Sequence, residues 1–426
     1  MVLPQEIYDL IVKEVATDDF LTLRACAKAS RVLLYLAYPH LFSHIRLAAS
    51  SNNSNVLYFI SLLQSSLRFP DVSIAPYIRT FELEIPYRSA IDLRSTNLPD
   101  SELWRVLSSF TRVKHLKVIA RNYLPFFDQI FFCQDFVDLC HSQNLSKLSL
   151  SNFRDVPSHL LRHSHISHIE LSSVTFAPYP SEQPTFVHQP ESIVVDLVSF
   201  PSIINALHGG GSFTDQTLRW REAFSCLRAL EIQSYYGIVG LPDCLKVAAA
   251  ASGTLETLSL QIEVDKFNSG DPKYVFHPFS GLRNLRIRLN MSWHSDEPCL
   301  ISLINMSTDV LALSTLPSSL QSLDISASAF VSVDGHDVIR CACGPNEHTD
   351  RLARLDSLLT SPQIAAVLSL HLLFDLIVPA FYIGRCEAPF IARTRKSLEE
   401  ALPVFRQTRL LSMTGRLSVL CNHFND

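Results

Sequence analysis

Apolar residues along this chain recur in two rhythms, and the change between them divides it. Up to residue 45 the spacing is helical. Ile7, Leu10, Ile11 and Val15 lie on one face of a predicted helix that opens at Pro4, where the missing proline N–H costs nothing. Thr17, Asp18 and Asp19 break that helix, and their short polar side chains suit an N-cap. A second helix carries Leu21, Leu23 and Ala27. Ser30 and Arg31 restart a third apolar stretch over Val32–Leu36, Pro39 interrupts it, and Leu41, Phe42 and Ile45 close the unit. Three short helices make a core too small to be self-sufficient in most settings, so the unit gains by docking an apolar face on something else, either a partner or the next part of the chain.

Beyond residue 75 the rhythm becomes apolar-x-x-apolar-x-apolar. The copies begin at Ile78, Val113, Leu145, Ile166, Leu227, Leu255, Leu282 and Leu320. Successive copies lie mostly 21 to 38 residues apart, and a degenerate one at Ile193–Leu197 fills a gap of double length between Ile169 and Leu230. This matches the strand part of a leucine-rich repeat. Side chains alternate across a strand, so Leu148 and Leu150 turn to one face and Lys147 and Ser149 to the other. A single strand of this kind has nothing to bury its leucines against; stacking the copies in parallel makes a continuous core. The intervals leave room for return helices over Asp100–Phe110, Gln134–Ser142, Pro242–Ala251 and Glu347–Leu359. The Asn or Cys that ladders the turn after the strand in such repeats is mostly missing.

The predicted fold is therefore α/β: a small three-helix module over 1–47, a linker with a helix at Val56–Leu67 over 48–76, a parallel-strand solenoid with helices on its convex side over 77–361, and a terminal repeat or cap over 362–426. The tail after Pro362 holds no clean copy of the pattern; Leu370–Ile377 is expected as strand and Arg395–Leu402 as helix. Ala177–Pro190 and Asn268–Lys273 are expected as surface loops. In this geometry Glu82, Glu84, Lys117, Lys147, Glu170, Glu231, Gln261, Arg286 and Arg288 line the concave face, with His115, His168, Gln233 and Asp324 beside them. They are the candidate substrate-binding residues.

Composition narrows the function. Hydrophobic residues make up 47% of 426, enough for a large core, and the net charge of -5 gives no field that would gather nucleic acid or an acidic membrane. The ten cysteines form no disulfide framework, which fits free thiols in a reducing compartment. Glu6, Asp9 and Glu14 inside the first apolar pattern argue against a secretory signal. The most apolar run, Val367–Gly384, contains His371, Asp375 and Pro379 and is expected as buried core. A cytoplasmic or nuclear protein is the expectation.

His208-Gly209-Gly210-Gly211 resembles an oxyanion-hole motif, but the Gly-x-Ser-x-Gly elbow it needs is absent from the sequence. Cys341-x-Cys343 with His348 lacks a second ligand pair for zinc, and among His159, His163, His165 and His168 only His163 and His165 share a strand face. No phosphate loop, dinucleotide fingerprint or His-Glu-x-x-His motif occurs in the sequence. The expectation is a protein without catalytic residues, metal or cofactor.

The residues of the first module resemble a known family. Leu3-Pro4-x-Glu6-Ile7 with Ile11, then Leu21-x-Leu23-Arg24-x-Cys26-Ala27, then Ser30-Arg31, then His40-Leu41-Phe42, look like an F-box, especially that of the large mushroom-type fungal families. The resemblance covers the first tenth of the chain, with compatible repeats behind it. It departs at Ala29 and Leu33, where the family often has Val and an aromatic. It implies binding to the adaptor subunit of SCF (cullin–RING) ubiquitin ligases, and through it to the cullin, by Leu3, Pro4, Ile7, Ile11, Leu21, Leu23 and Cys26. The implied function is that of a substrate-recognition subunit, with a protein substrate held by the solenoid and no nucleic acid or membrane as partner. The alternative is a leucine-rich-repeat scaffold unconnected to ubiquitin ligases, its helical module serving as a cap.

Overall fold

The computed structural model describes residues 5–18, 20–49, 54–68, 73–85, 100–110, 112–125, 134–161, 164–177, 188–207, 224–234, 245, 249–264, 279–291, 304, 307–308, 311–312, 316–330, 349–379, 395–396, 398–400, 402–410 and 415–424. Leu3, Pro4, His163, the 208–211 glycine run, Cys341, Cys343, His348, the Asn268–Lys273 loop and most of the Ala177–Pro190 loop and of the Pro242–Ala251 segment lie outside these residues. The chain forms two compact units, Met1–Pro190 with Val198–Thr214, and Glu191–Leu197 with Asp215–Asp426.

The first unit opens with three helices, α1 (Gln5–Asp18), α2 (Phe20–Ala29) and α3 (Arg31–Leu41). Val12, Leu23, Ala27 and Ala37 are buried between them, with Val15, Leu33, Leu34, Leu36 and Leu41 packed against that centre. Ser30 caps α3: its hydroxyl accepts from the Leu33 amide at 3.1 Å, satisfying a donor that the first helical turn leaves unpaired.

Strands β1 (His44–Ala48), β2 (Thr80–Ile85), β3 (His115–Pro125), β4 (Lys147–Val156) and β5 (His168–Phe176) follow, each parallel to the next and in sequence order. Helices α4 (Ser54–Arg68), α5 (Asp100–Phe110) and α6 (Gln134–Cys140) connect them, and α7 (Phe200–Leu207) closes the unit. Two inward rows run across the strands in register: Ile45, Phe81, Leu116, Leu148, Ile169, and Leu47, Leu83, Val118, Leu150, Leu171. From β2 onward every member is buried. Phe59 of α4 stacks on Phe81 at 5.6 Å, Trp104 of α5 meets Phe81 edge-on at 6.4 Å, and Phe136 of α6 meets Trp104 at 4.9 Å. This aromatic ladder fixes the helices to the apolar side of the strands.

The second unit repeats the design with β6 (Ser192–Asp196), β7 (Ala229–Ser234), β8 (Thr257–Val264), β9 (Asn284–Met291), β10 (Ser322–Phe330), β11 (Ser369–Pro379) and β12 (Gly415–Phe424), again parallel and in order, with α8 (Thr349–Leu359) before β11. Its inward rows are Ile193, Leu230, Leu258, Leu285, Leu323, Leu370, and Val195, Ile232, Leu260, Ile287, Ile325, Leu372, all buried. The α/β fold of three helices followed by solenoid-like parallel strands is thus as the sequence predicts. So are the degenerate copy at Ile193, the helix α5 and the strand expected over Leu370–Ile377, which runs over Ser369–Pro379.

Two further copies escape the sequence pattern. Phe42-x-x-Ile45-x-Leu47 forms the first strand, inside the span expected to end the helical module, because three apolar helices immediately before it mask its alternation. Val367-x-x-Leu370-x-Leu372 is a clean copy in the tail, where none was expected. There the exposed Leu368 and the outward Leu373 disguise a period of two as a continuous apolar run.

Backbone hydrogen bonds mark the entry to most of the repeats. Two successive amides donate to one carbonyl of the preceding copy: Arg79 and Thr80 to Ser43, Lys114 and His115 to Arg79, Ser146 and Lys147 to Lys114, and Ser167 and His168 to Ser146. The second unit does the same from Arg228 and Ala229 on Glu191 through Gln321 and Ser322 on Arg283. This pairing before the strand supplies register where the consensus Asn after it is missing. One Asn does ladder: Asn152, with positive φ, donates from Nδ2 to the Ala120 carbonyl at 2.6 Å.

Candidate partner-binding surfaces

Two kinds of surface stand out, one apolar and one charged. The apolar one lies on the helical module. Ile7, Leu10 and Ile11 of α1, Leu21 of α2 and Val32 and Tyr35 of α3 are large, apolar and exposed, Leu21 at 74% and Leu10 at 62%. They occupy the outer positions of helices whose inner positions are filled by Val12, Leu23, Ala27 and Ala37. Exposed apolar groups in such density within one small module make it a candidate contact surface. Of the predicted adaptor-binding residues, Ile7, Ile11 and Leu21 lie on this surface. Cys26 is half-buried, and Leu23 sits in the module's core, supporting the surface from behind. Leu10, Val32 and Tyr35 join the set; Leu10 three residues after Ile7 is the spacing that signals it.

The charged surface is the outward face of the strands. In the first unit the central outward row is Arg46, Glu82, Lys117, Ser149, Glu170. Glu82 is nearly buried and lies 3.4 Å from Arg46, 3.8 Å from Lys117 and 3.7 Å from His44. Glu84, one row on, accepts from Arg121 at 2.6 Å and from Arg46 at 3.2 Å. The Arg121 hydrogen bond outweighs the opposing effect of burial and, with Arg46, holds the Glu84 carboxyl below the usual range.

A second cluster crosses β3, β4 and β5. Lys147 Nζ lies 3.0 Å from Glu170, the Ser149 hydroxyl donates to the same carboxylate at 3.0 Å, and the His115 ring nitrogen meets Ser149 Oγ at 3.0 Å. Burial alone would raise the Glu170 pKa, but the Lys147 and Ser149 bonds lower it. His115 is pushed down to about 4, first by burial and then by the positive charge of Lys147, so it is neutral at pH 7. Five of the predicted substrate-binding residues, Glu82, Glu84, Lys117, Lys147 and Glu170, are therefore already engaged in ion pairs within the face. His44, Arg46 and Arg121 complete these clusters; His44 and Arg46 are hidden in the sequence because their strand follows directly on three apolar helices.

In the second unit the outward rows are Glu231, Ser259, Arg286, Asp324, His371 and Gln233, Gln261, Arg288, Ser326, Leu373. Arg286 Nε lies 3.1 Å from Asp324, which also meets His371 Nδ1 at 3.3 Å. Gln233 donates to Glu231 at 2.9 Å. Arg288 has no acid partner among the described residues. The Ser259 hydroxyl is buried, with the residue 5% exposed, and lacks a hydrogen-bond partner among the described residues.

Among the described residues no group of three or more His, Cys, Asp and Glu side chains is placed to hold a metal, and no helix is long and apolar enough to cross a membrane. No protein-family model matches the chain, and no curated protein matches it.

Proposed function

We propose that this chain is the substrate-recognition subunit of an SCF-type ubiquitin ligase. Its helical module binds the adaptor, and through it the cullin. Its outward strand face binds a protein substrate, and the chain does no chemistry itself. The observation that carries this reading is the exposure of Ile7, Leu10, Ile11, Leu21, Val32 and Tyr35 on a module whose sequence resembles an F-box. Burying a Leu-sized side chain from water contributes about 2 kcal/mol, so covering several of them offsets much of the cost of association. The ligase would work by proximity, holding a substrate lysine near the charged ubiquitin carrier.

The test is capture of recombinant adaptor by the full chain. Ile7→Asp with Leu21→Asp changes only exposed positions and should abolish capture while the melting temperature holds. Failure of the unmodified chain to bind, or binding unaffected by the double substitution, would overturn the reading.

One observation favours the scaffold alternative. Tyr38 of α3 packs edge-on against Phe42 at 5.1 Å and against Tyr77 at 6.1 Å, joining the module to the first repeat as a cap would. Under that reading Ile7→Asp with Leu21→Asp leaves every partner of the chain bound.

A further inference from the structure

We infer that Arg288 forms the centre of an anion subsite on the outward face of the second unit, built for an acidic side chain, carboxylate or phosphate, of an extended segment of a protein partner. The inference rests on the reading of that face as the substrate-binding surface and names the chemistry it selects.

The site is an array of four strands and two rows. Glu231 and Gln233 lie on β7, Ser259 and Gln261 on β8, Arg286 and Arg288 on β9, Asp324 and Ser326 on β10. Neighbouring strands are about 5 Å apart and alternate residues about 7 Å, so these side chains share one small patch. Their charges are not balanced evenly. Asp324 is engaged by Arg286 and by His371, and Glu231 is two strands from Arg288 and hydrogen-bonded to Gln233. Arg288 is half-buried with neutral Gln261 and Ser326 on either side. In the first unit, by contrast, Arg46, Lys117, Arg121 and Lys147 all have carboxylate partners.

A second observation points the same way. The buried Ser259 hydroxyl, diagonal to Arg288 in the register, has no partner among the described residues. A buried polar group left unsatisfied costs free energy that a ligand relieves. A guanidinium offers two parallel N–H donors to a carboxylate or phosphate, and flanking Gln and Ser side chains supply further donors. The sheet face is open along the rows, which suits an extended segment more than a compact small molecule.

The test uses the full chain and an array of twelve-residue peptides of varied sequence with Asp, Glu, phosphoserine, Ser or Lys at the centre. Peptides with an acidic centre should be retained over those with Ser or Lys. Arg288→Ala should weaken that retention by about tenfold or more, as expected for one partner of a hydrogen-bonded charge pair. Arg283→Ala, which removes the same charge from an exposed position before β9, should change it less than about threefold. Retention of phosphoserine alone would identify phosphate as the source; equal retention of Asp and Glu would identify carboxylate. Arg288→Lys checks that loss reflects the guanidinium fork and not folding. It should retain the melting temperature and recover only part of the binding. No preference for acidic centres, or equal retention by Arg288→Ala, overturns the subsite. Adaptor capture by the same preparations is read separately, so the subsite can fail while the ligase reading stands.

Discussion

The carboxylate of Asp356 on α8 accepts the backbone amide of Phe405, 49 residues later in the chain, at 2.8 Å, and that of Val404 at 3.1 Å. Asp356 is 5% exposed, and Phe405 is fully buried. One buried side chain thus does for residues 403–405 what an N-cap does for a longer helix, tying the return segment before β12 to the helix before β11. The buried Arg409 works beside it, its guanidinium donating to the carbonyls of Val367 and Ile364.

Asp356→Ala removes both bonds and leaves two amides without acceptors. The expected loss is about 3 kcal/mol, given about 1.5 kcal/mol for each bond to a charged group. Asp356→Asn keeps one acceptor oxygen and should lose about half of that. Urea denaturation gives the size of the effect, and limited proteolysis should show new cleavage between residues 360 and 415 in the Ala variant. Equal stability of wild type and Asp356→Ala would refute the tie.

The Glu82 cluster should behave as a unit. Glu82→Gln leaves Arg46, Lys117 and His44 facing one another without their shared acid and should destabilise by about 1–2 kcal/mol. Lys117→Met should cost less than about 1 kcal/mol, because its ammonium is partly solvated. The double variant should be more stable than the sum of the single losses predicts, by about 0.5 kcal/mol or more. Additivity within experimental error would mean the pair at 3.8 Å contributes nothing.

His188 gives the fold a pH dependence. Its ring Nε2 lies 2.8 Å from the Ile166 carbonyl, to which it must donate, while burial pushes its pKa down from 6.5 to about 4. The folded state keeps His188 neutral where the unfolded chain takes up a proton. Stability is therefore fully present above pH 6.5 and declines as the pH falls through the folded value near 4. The loss across that window is on the order of 3 kcal/mol. His188→Gln, with a donor that does not titrate, should show a flatter decline in melting temperature between pH 7 and 4. An unchanged slope would assign the acid sensitivity to other groups, with His115 the next to test, since burial and Lys147 lower it to about 4.

The strand positions were legible because burial dictates them: Phe81, Leu116, Leu148 and Leu323 must be apolar, and their period of two shows in the sequence. The outward face was legible as a set of residues, since alternation places Glu82 or Arg286 opposite the core. Its pairings were not. Whether Lys117 is free or bound to Glu82 depends on which strand lies alongside and in what register, and those are long-range facts. Arg46 is hidden for a local reason, its strand standing directly after a helix. On the module, helical spacing marked Ile7, Ile11, Leu21 and Leu23 alike as apolar. Only packing separates Leu23, which fills the core, from Leu21, which stays outside it.

The in-register rows have a consequence for how such a protein can vary. Inward and outward positions alternate on the same strand, yet only the inward ones hold the copies together. Exchanging Gln261, Arg288 or Ser326 for other polar residues leaves the buried apolar residues on either side of them untouched. The outward face can then be rewritten one strand at a time by ordinary point substitutions, with little penalty to folding, while a single inserted residue within a strand would exchange the two faces and destroy both.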